Sequence, residues 1–354
     1  MRKIKFNEAI RESLFQSMKL NKNVILFGLG VTDPKGVFGT TIGLKEEFGS
    51  NRVFEIPASE NAITGVAIGA AIKGAKCILV HQRVEFSLLS MEQIINQAAK
   101  FNFMSGGKIN VPLVIRLIIG KGWGQGPQHS QSLENIFASV PGLKVVSPSN
   151  AYDAKGMMIN SIKQNSPVIF FEHRWLHDIE DFVPKNIYRV RLDKAKIINK
   201  GNDISIISFS EALVQVSKLK NILIKNNINP EIIDLRSLRP IDKKTILKSL
   251  KKTRKVLVVD NSWTTLGISS EILSIISESG IKLRHKPVRI GIKEIPIPSS
   301  RSLAEKVYLN PLTILRNILK ITKKKIKSSD LSTFKKKLKL IKTDVPDIFF
   351  KGPF

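Results

Sequence analysis

The 354 residues exceed one ordinary domain and suit two, and a hydrophobic content of 42% is enough to bury real cores. Net charge is +28, from 57 basic and 29 acidic side chains. That invites a nucleic-acid reading, but the lysines are scattered and no aromatic platform is interleaved with them, which points instead to an acidic partner or substrate. The single cysteine, Cys77, excludes a disulfide framework and argues against a cysteine zinc site, and no apolar run reaches the ~18 residues of a membrane span.

Met1-Arg2-Lys3 runs straight into an amphipathic pattern without an apolar leader, so a cytoplasmic protein is expected. Val24 to Phe27 reads as a strand ending at Gly28, and Arg52 to Ile56 as a second, stopped by Pro57. A Gly/Ala-rich helix follows from Asn61 to about Lys73. Strands are predicted at Cys77 to His81, Leu113 to Leu117, Lys144 to Ser147 and Pro167 to Glu172, with helices at Met91 to Lys100 and Asn150 to Lys163. Cys77, inside an apolar run, reads as a small buried hydrophobe. Continuous apolar strands separated by helices predict a mostly parallel sheet covered on both faces. Residues 179–202 hold scattered charges and Pro184, and read as a linker. A second series begins with strands at Ile204 to Ser208, Pro230 to Asp234 and Val256 to Asp260, with a helix from Ser270 to Ser279. The expected fold class is therefore α/β: two three-layer domains, 1–178 and 203–320, followed by a basic tail, 321–354. That tail carries ten lysines against three aspartates, and Phe349, Phe350 and Phe354 at its end make it either a frayed terminus or a segment that docks on a partner.

The most informative segment is Ile56-Pro57-Ala58-Ser59-Glu60-Asn61-Ala62-Ile63-Thr64-Gly65, where a strand ends and a carboxylate stands at the start of an apolar helix. Alone, Glu60 has a structural explanation, because a first-turn glutamate is favoured by the helix dipole and can bond free backbone N–H groups. Other stretches change the balance. Gly36-Val37-Phe38 and Phe48-Gly49 come before it; Gln93-Ile94-Ile95-Asn96-Gln97-Ala98, Gln128-His129-Ser130-Gln131 and Pro141-Gly142-Leu143-Lys144-Val145-Val146 come after. Asp234-Leu235-Arg236-Ser237-Leu238-Arg239-Pro240 and Ile295-Pro296-Ile297-Pro298 lie in the second domain. In number and order, over roughly residues 3–320, these stretches resemble the β subunits of thiamine-diphosphate-dependent 2-oxo acid dehydrogenases of the pyruvate and branched-chain type.

The resemblance implies a transketolase-like pyrimidine-binding domain followed by a transketolase C-terminal-like domain, the latter serving subunit contact. It implies that Glu60 hydrogen-bonds N1′ of the thiamine diphosphate aminopyrimidine and promotes its imino form. Phe86 would stack on that ring, as flat contact with a delocalised heterocycle favours, although a plain core Phe is the alternative. Gln82 and Ala58 would line the same pocket. His129, in a loop with Gly122, Gly124 and Gly126, would assist acyl transfer. The Gly-x-Gly-x-Gly there is no dinucleotide fingerprint, because the strand-to-helix context is missing. The sequence contains no Gly-Asp-Gly, so Mg²⁺ and the cofactor diphosphate would be held by a separate α subunit in an α₂β₂ assembly. A lipoyl acyltransferase would be a further partner and a 2-oxo acid the substrate. Relatives also hold K⁺, which would bind through backbone carbonyls and leaves no side-chain signature.

Three departures qualify the resemblance. Leu29 stands where the family places a second acidic residue, His81, Gln82 and Arg83 replace acidic and aromatic residues after the third strand, and Phe171-Glu172-His173-Arg174-Trp175 is unusual. If His81 and Arg83 line the pocket, they add positive charge and donors near the substrate. That would suit an anionic acceptor and leaves a split transketolase-like enzyme, moving a two-carbon ketol unit, as the alternative. A basic scaffold or nucleic-acid binder on a relict fold is a third reading, against which the Glu60 segment argues.

Overall fold

A computed structural model of the protein describes residues 2–339. The chain divides into two compact units. The first comprises residues 1–120, 136–192 and 237–240; the second comprises 121–135, 193–236 and 241 onward.

The first unit holds β1 (Arg2–Lys5), β2 (Val24–Gly28), β3 (Val53–Phe54), β4 (Lys76–His81), β5 (Leu113–Ile119), β6 (Lys144–Val146), β7 (Val168–His173) and β8 (Glu180–Val183). The second holds β9 (Lys196–Asn199), β10 (Ile204–Ser208) and β11 (Pro230–Asp234); β12 (Ser237–Arg239) returns to the first unit, and β13 (Val256–Trp263) and β14 (Val288–Ile292) complete the second.

The first unit's main sheet has the order β12-β6-β7-β5-β4-β2-β3 and is parallel except for β12. Every residue of β5 and β7 is buried, as a sheet covered on both faces requires. The Phe6–Leu20 helix packs on the Ala151–Lys163 helix, and the Glu60–Ile72 helix packs on β4. Val80 pairs with Arg116 and His81 with Leu117. Because successive strand residues point to opposite faces, His81 and Arg116 lie on opposite sides of the sheet.

The second unit's sheet runs β14-β13-β10-β11-β9, parallel but for the antiparallel edge β9. Its core gathers Ile204, Ile206, Leu223, Ile232, Leu257 and Ile318 among others.

The stretch expected as a linker is not structureless. β8 inside it pairs antiparallel with β1, and β9 forms the edge of the second sheet. Between β4 and β5, a 3₁₀ turn at Val84–Ser90 precedes the helix predicted from Met91 to Lys100, which is wound as a π-helix at Gln93–Ala98. The Pro311–Thr322 helix runs past the expected domain end, and the first part of the basic tail forms a Ser328–Lys339 helix whose Leu331 and Phe334 pack against the second unit's own core. Lys225 pairs with Asp330 at 2.6 Å beside it. Phe349, Phe350 and Phe354 lie outside the described residues. No helix among the described residues is long and apolar enough to cross a membrane.

Candidate active site

Glu60 opens the Glu60–Ile72 helix, directly after the Pro57-Ala58-Ser59 turn. Its neighbours Ala58, Ser59, Asn61 and Ala62 are exposed, whereas Glu60 is only 8% exposed. Ser59 caps the helix with backbone alone, its hydroxyl making no capping bond. The Glu60 carboxylate makes none either; the bond at this turn is from Thr64 Oγ1 to the Glu60 carbonyl, at 2.8 Å. Glu60 is thus largely buried as a residue, while its carboxylate neither caps the helix nor takes a hydrogen bond from the described residues, unlike a helix-stabilising glutamate.

The Val84–Ser90 turn, which carries Phe86, packs against the Glu60 helix, and Phe86 is 37% exposed. Gln93 Nε2 donates to Asn61 Oδ1 at 2.6 Å, tying the π-helix to the same helix. The fold thus brings Ala58, Glu60 and the Phe86 turn to one region of the first unit.

Gln82 has a structural task. Its Nε2 donates to the Leu29 carbonyl at 2.8 Å, and at Gly30, φ +73°, a Cβ would run into that amide. Glu55 holds the same loop from its other side, accepting from Gly30 N at 2.6 Å and from Thr32 N and Oγ1 at 3.2 Å. The loop without the family's acidic residue is therefore fastened by an acid just past β3, which sequence reading missed. Its only signal was a glutamate just ahead of the Pro57 break.

His81 corrects the expectation of a positive charge near substrate. It is 3% exposed, with Nε2 3.4 Å from Thr64 Oγ1 beneath the Glu60 helix. Burial pulls its pKa down to about 4, so it is neutral. Arg83 is half-buried at the start of the Phe86 turn; burial lowers its pKa and Glu85 opposes the shift. The unusual Glu172 is spent inside the fold on Arg116, Oε1 to Nε at 2.5 Å, on the sheet face away from His81.

His129 belongs to the second unit, whose 121–135 segment is stitched to its own core. Lys121 pairs with Glu211 at 2.5 Å and lies 5.2 Å from the Tyr308 ring centroid. Gly122 N donates to Tyr308 Oη at 3.0 Å. Gly126, φ +69°, passes so close to Ser299 that a Cβ would strike its hydroxyl. No group of three or more metal-binding side chains occurs among the described residues.

Residues 2–178 match the family described as transketolase, pyrimidine binding domain, and residues 193–314 match transketolase, C-terminal domain. The chain is 36% identical over 327 residues to the pyruvate dehydrogenase E1 component subunit beta of Porphyra purpurea, covering 91% of this chain and 99% of that one. The chain belongs to the β-subunit family of thiamine-diphosphate-dependent 2-oxo acid dehydrogenases. A relative in Bacillus subtilis (strain 168), the acetoin:2,6-dichlorophenolindophenol oxidoreductase subunit beta, is 34% identical over 90% of this chain and 97% of its own. Among solved structures, a split gene transketolase described as an inactive beta4 tetramer superposes with a TM-score of 0.75 at 17% identity, covering 91% of this chain and 99% of that one. That likeness establishes the shared fold.

Proposed function

We propose that this β subunit works with a separate α chain, binds the aminopyrimidine half of thiamine diphosphate, and takes part in decarboxylating a pyruvate-like 2-oxo acid with transfer of the acyl unit to lipoamide or another acceptor. The observation that carries the reading is Glu60, a largely buried residue at a helix start whose carboxylate takes no hydrogen bond from the described residues. Such a carboxyl group would share one proton with a pyrimidine ring nitrogen of the cofactor, so the residues present suit the group.

When bound, thiamine diphosphate supplies a nucleophilic carbon and an electron sink for the carbanion left by decarboxylation. Glu60 would hold the pyrimidine ring through a shared proton and bias its tautomer. Phe86, whose ring is partly open, supplies a flat face for the pyrimidine. Ala58 leaves room beside Glu60, while Gln82 acts on the pocket through the Leu29 loop that it holds. His129 donates and accepts a proton during acyl transfer. Mg²⁺ and the diphosphate belong to the α chain, in an α₂β₂ assembly.

Arg83 favours a second reading, ketol transfer to a phosphorylated acceptor. Its guanidinium, at the start of the Phe86 turn, suits an anionic group.

The test is co-expression with an α-type chain carrying Gly-Asp-Gly and Asn. Cofactor- and Mg²⁺-dependent turnover is then scored on pyruvate, branched-chain 2-oxo acids, acetoin and ketose phosphates. Decarboxylation of a 2-oxo acid by the pair, and by neither chain alone, supports the first reading; turnover of ketose phosphates alone supports the second. If the two chains do not associate, both fall.

A further inference from the structure

One buried acidic cluster stands outside this chemistry. Glu134, first residue of the Glu134–Ala138 helix, is 1% exposed. Its Oε1 accepts from Asn261 Nδ2 at 3.0 Å, and the same amide donates to Ser132 Oγ at 3.1 Å. Its Oε2 is buried and meets no donor among the described residues. Asp260, the neighbour of Asn261 on β13, is also buried, and accepts from Ser262 N at 3.2 Å and Ser269 N at 2.7 Å. Among the described residues no cation pairs with either carboxylate, and Asp260 is the one charged group that acts on Glu134.

We infer that Glu134 is the positioning residue of the loop that carries His129: through the shared Asn261 amide it pins the C-terminal end of that loop to β13. Four residues separate His129 from Glu134, and Ser132 among them is held by the same nitrogen. The functional consequence rests on the acyl-transfer reading of His129; the pinning itself does not.

The hold depends on a proton. Glu134 is fully buried, with an orphan oxygen and a second carboxylate nearby, so its charged form is disfavoured despite the bonds it accepts. Burial pushes its pKa up to about 7 from 4.5, against hydrogen bonds from its own backbone N–H and from Asn261, with Asp260 adding a smaller upward push. A group whose folded pKa is raised contributes stability that is complete below its unfolded value and is lost as pH rises toward the folded one. Ionisation strengthens the Asn261 bond itself but makes the closed, buried site costlier than an open one in which Glu134 meets water, so the closed loop loses stability between about pH 4.5 and 7, and above that Glu134 ionises in place.

The experiment is hydrogen exchange in the α/β enzyme with cofactor and Mg²⁺, read as protection factors for the 121–133 amides from about pH 5.5 to 8. In the wild type, protection falls by roughly tenfold or more up to about pH 7 and then levels off. Glu134→Gln keeps an acceptor for Asn261 and carries no charge, so its protection is flat with pH. Asn261→Ala removes the donor and gives low protection at every pH, a second route if the glutamine variant does not fold. PH-independent protection in the wild type, or the same dependence in Glu134→Gln, overturns the inference. If protection behaves as stated while acyl transfer ignores it, Glu134 still holds the loop, and the role given to His129 is what fails.

Discussion

Arg116 and Glu172 meet inside the first unit with neither side chain exposed: Nε lies 2.5 Å from Oε1, and Nη2 lies 2.9 Å from Oε2. Arg116 Nη2 also donates to Thr40 Oγ1 at 2.8 Å. Removing one partner of a buried pair leaves an uncompensated charge. Arg116→Met should therefore cost about 3–5 kcal/mol, and the double replacement with Glu172→Met should recover much of it. Urea unfolding of the three variants measures both.

The same pair sets an acid limit. Burial acts to raise the Glu172 pKa, but the charge and hydrogen bonds of Arg116, with His177, outweigh it and hold the carboxyl well below its ordinary 4.5. A depressed pKa contributes stability that is present above the unfolded value and is lost as pH falls through the folded one. In Arg116→Met the same burial, no longer opposed by the guanidinium, raises the Glu172 pKa, so the deficit should narrow steadily as pH falls from about 7 toward 4 and below, as unfolding midpoints at each pH would report.

Cys77 is 1% exposed, and burial pushes its thiol up to about 12. Since the thiolate is the reactive form, the native protein should resist a thiol reagent at about pH 8 and react on unfolding. Fast labelling of the folded protein would contradict the buried placement.

The second sheet's inner strands were legible because a strand buried on both faces is built around β-branched apolar residues, here Ile204, Ile206 and Ile207 in one and Ile232 and Ile233 in the other, even though buried Ser205, Ser208, Glu231 and Asp234 share them. Edge strands were not. β8 and β9 mix charged and apolar residues, because only part of each is covered, and such a pattern reads as a linker. Nor could periodicity show that 121–135 packs with the second unit rather than the first, since chain order carries no information on that choice. At the candidate site, the residue types of Glu60 and Phe86 stood out in the sequence. The exposure of one and the missing cap of the other are matters of packing. His81 misled because its type suggests charge, while its place beneath a helix removes it.

His129 is assigned to transfer and not to decarboxylation. His129→Ala should therefore keep 2-oxo acid oxidation by an artificial electron acceptor and lose transfer to the carbon or thiol acceptor by about 10²–10⁴-fold. Equal loss of both steps would place the histidine earlier in the reaction.

The Ser328–Lys339 helix is held by Leu331, Phe334 and the Lys225–Asp330 pair. Leu331→Ala with Phe334→Ala should make residues 323–339 several-fold more sensitive to trypsin, which has lysines to cut there, while leaving the rest of the digestion pattern unchanged.

The most direct test is Glu60→Gln, compared with the wild type in the assembled α/β enzyme by the rate of CO₂ release from the preferred 2-oxo acid at saturating thiamine diphosphate and Mg²⁺. Because the Glu60 carboxylate holds nothing in the fold, the variant should assemble and unfold like the wild type, yet release CO₂ about 10²–10⁴-fold more slowly. A variant that folds normally and decarboxylates at the wild-type rate would contradict the role of Glu60, and with it the account of this site.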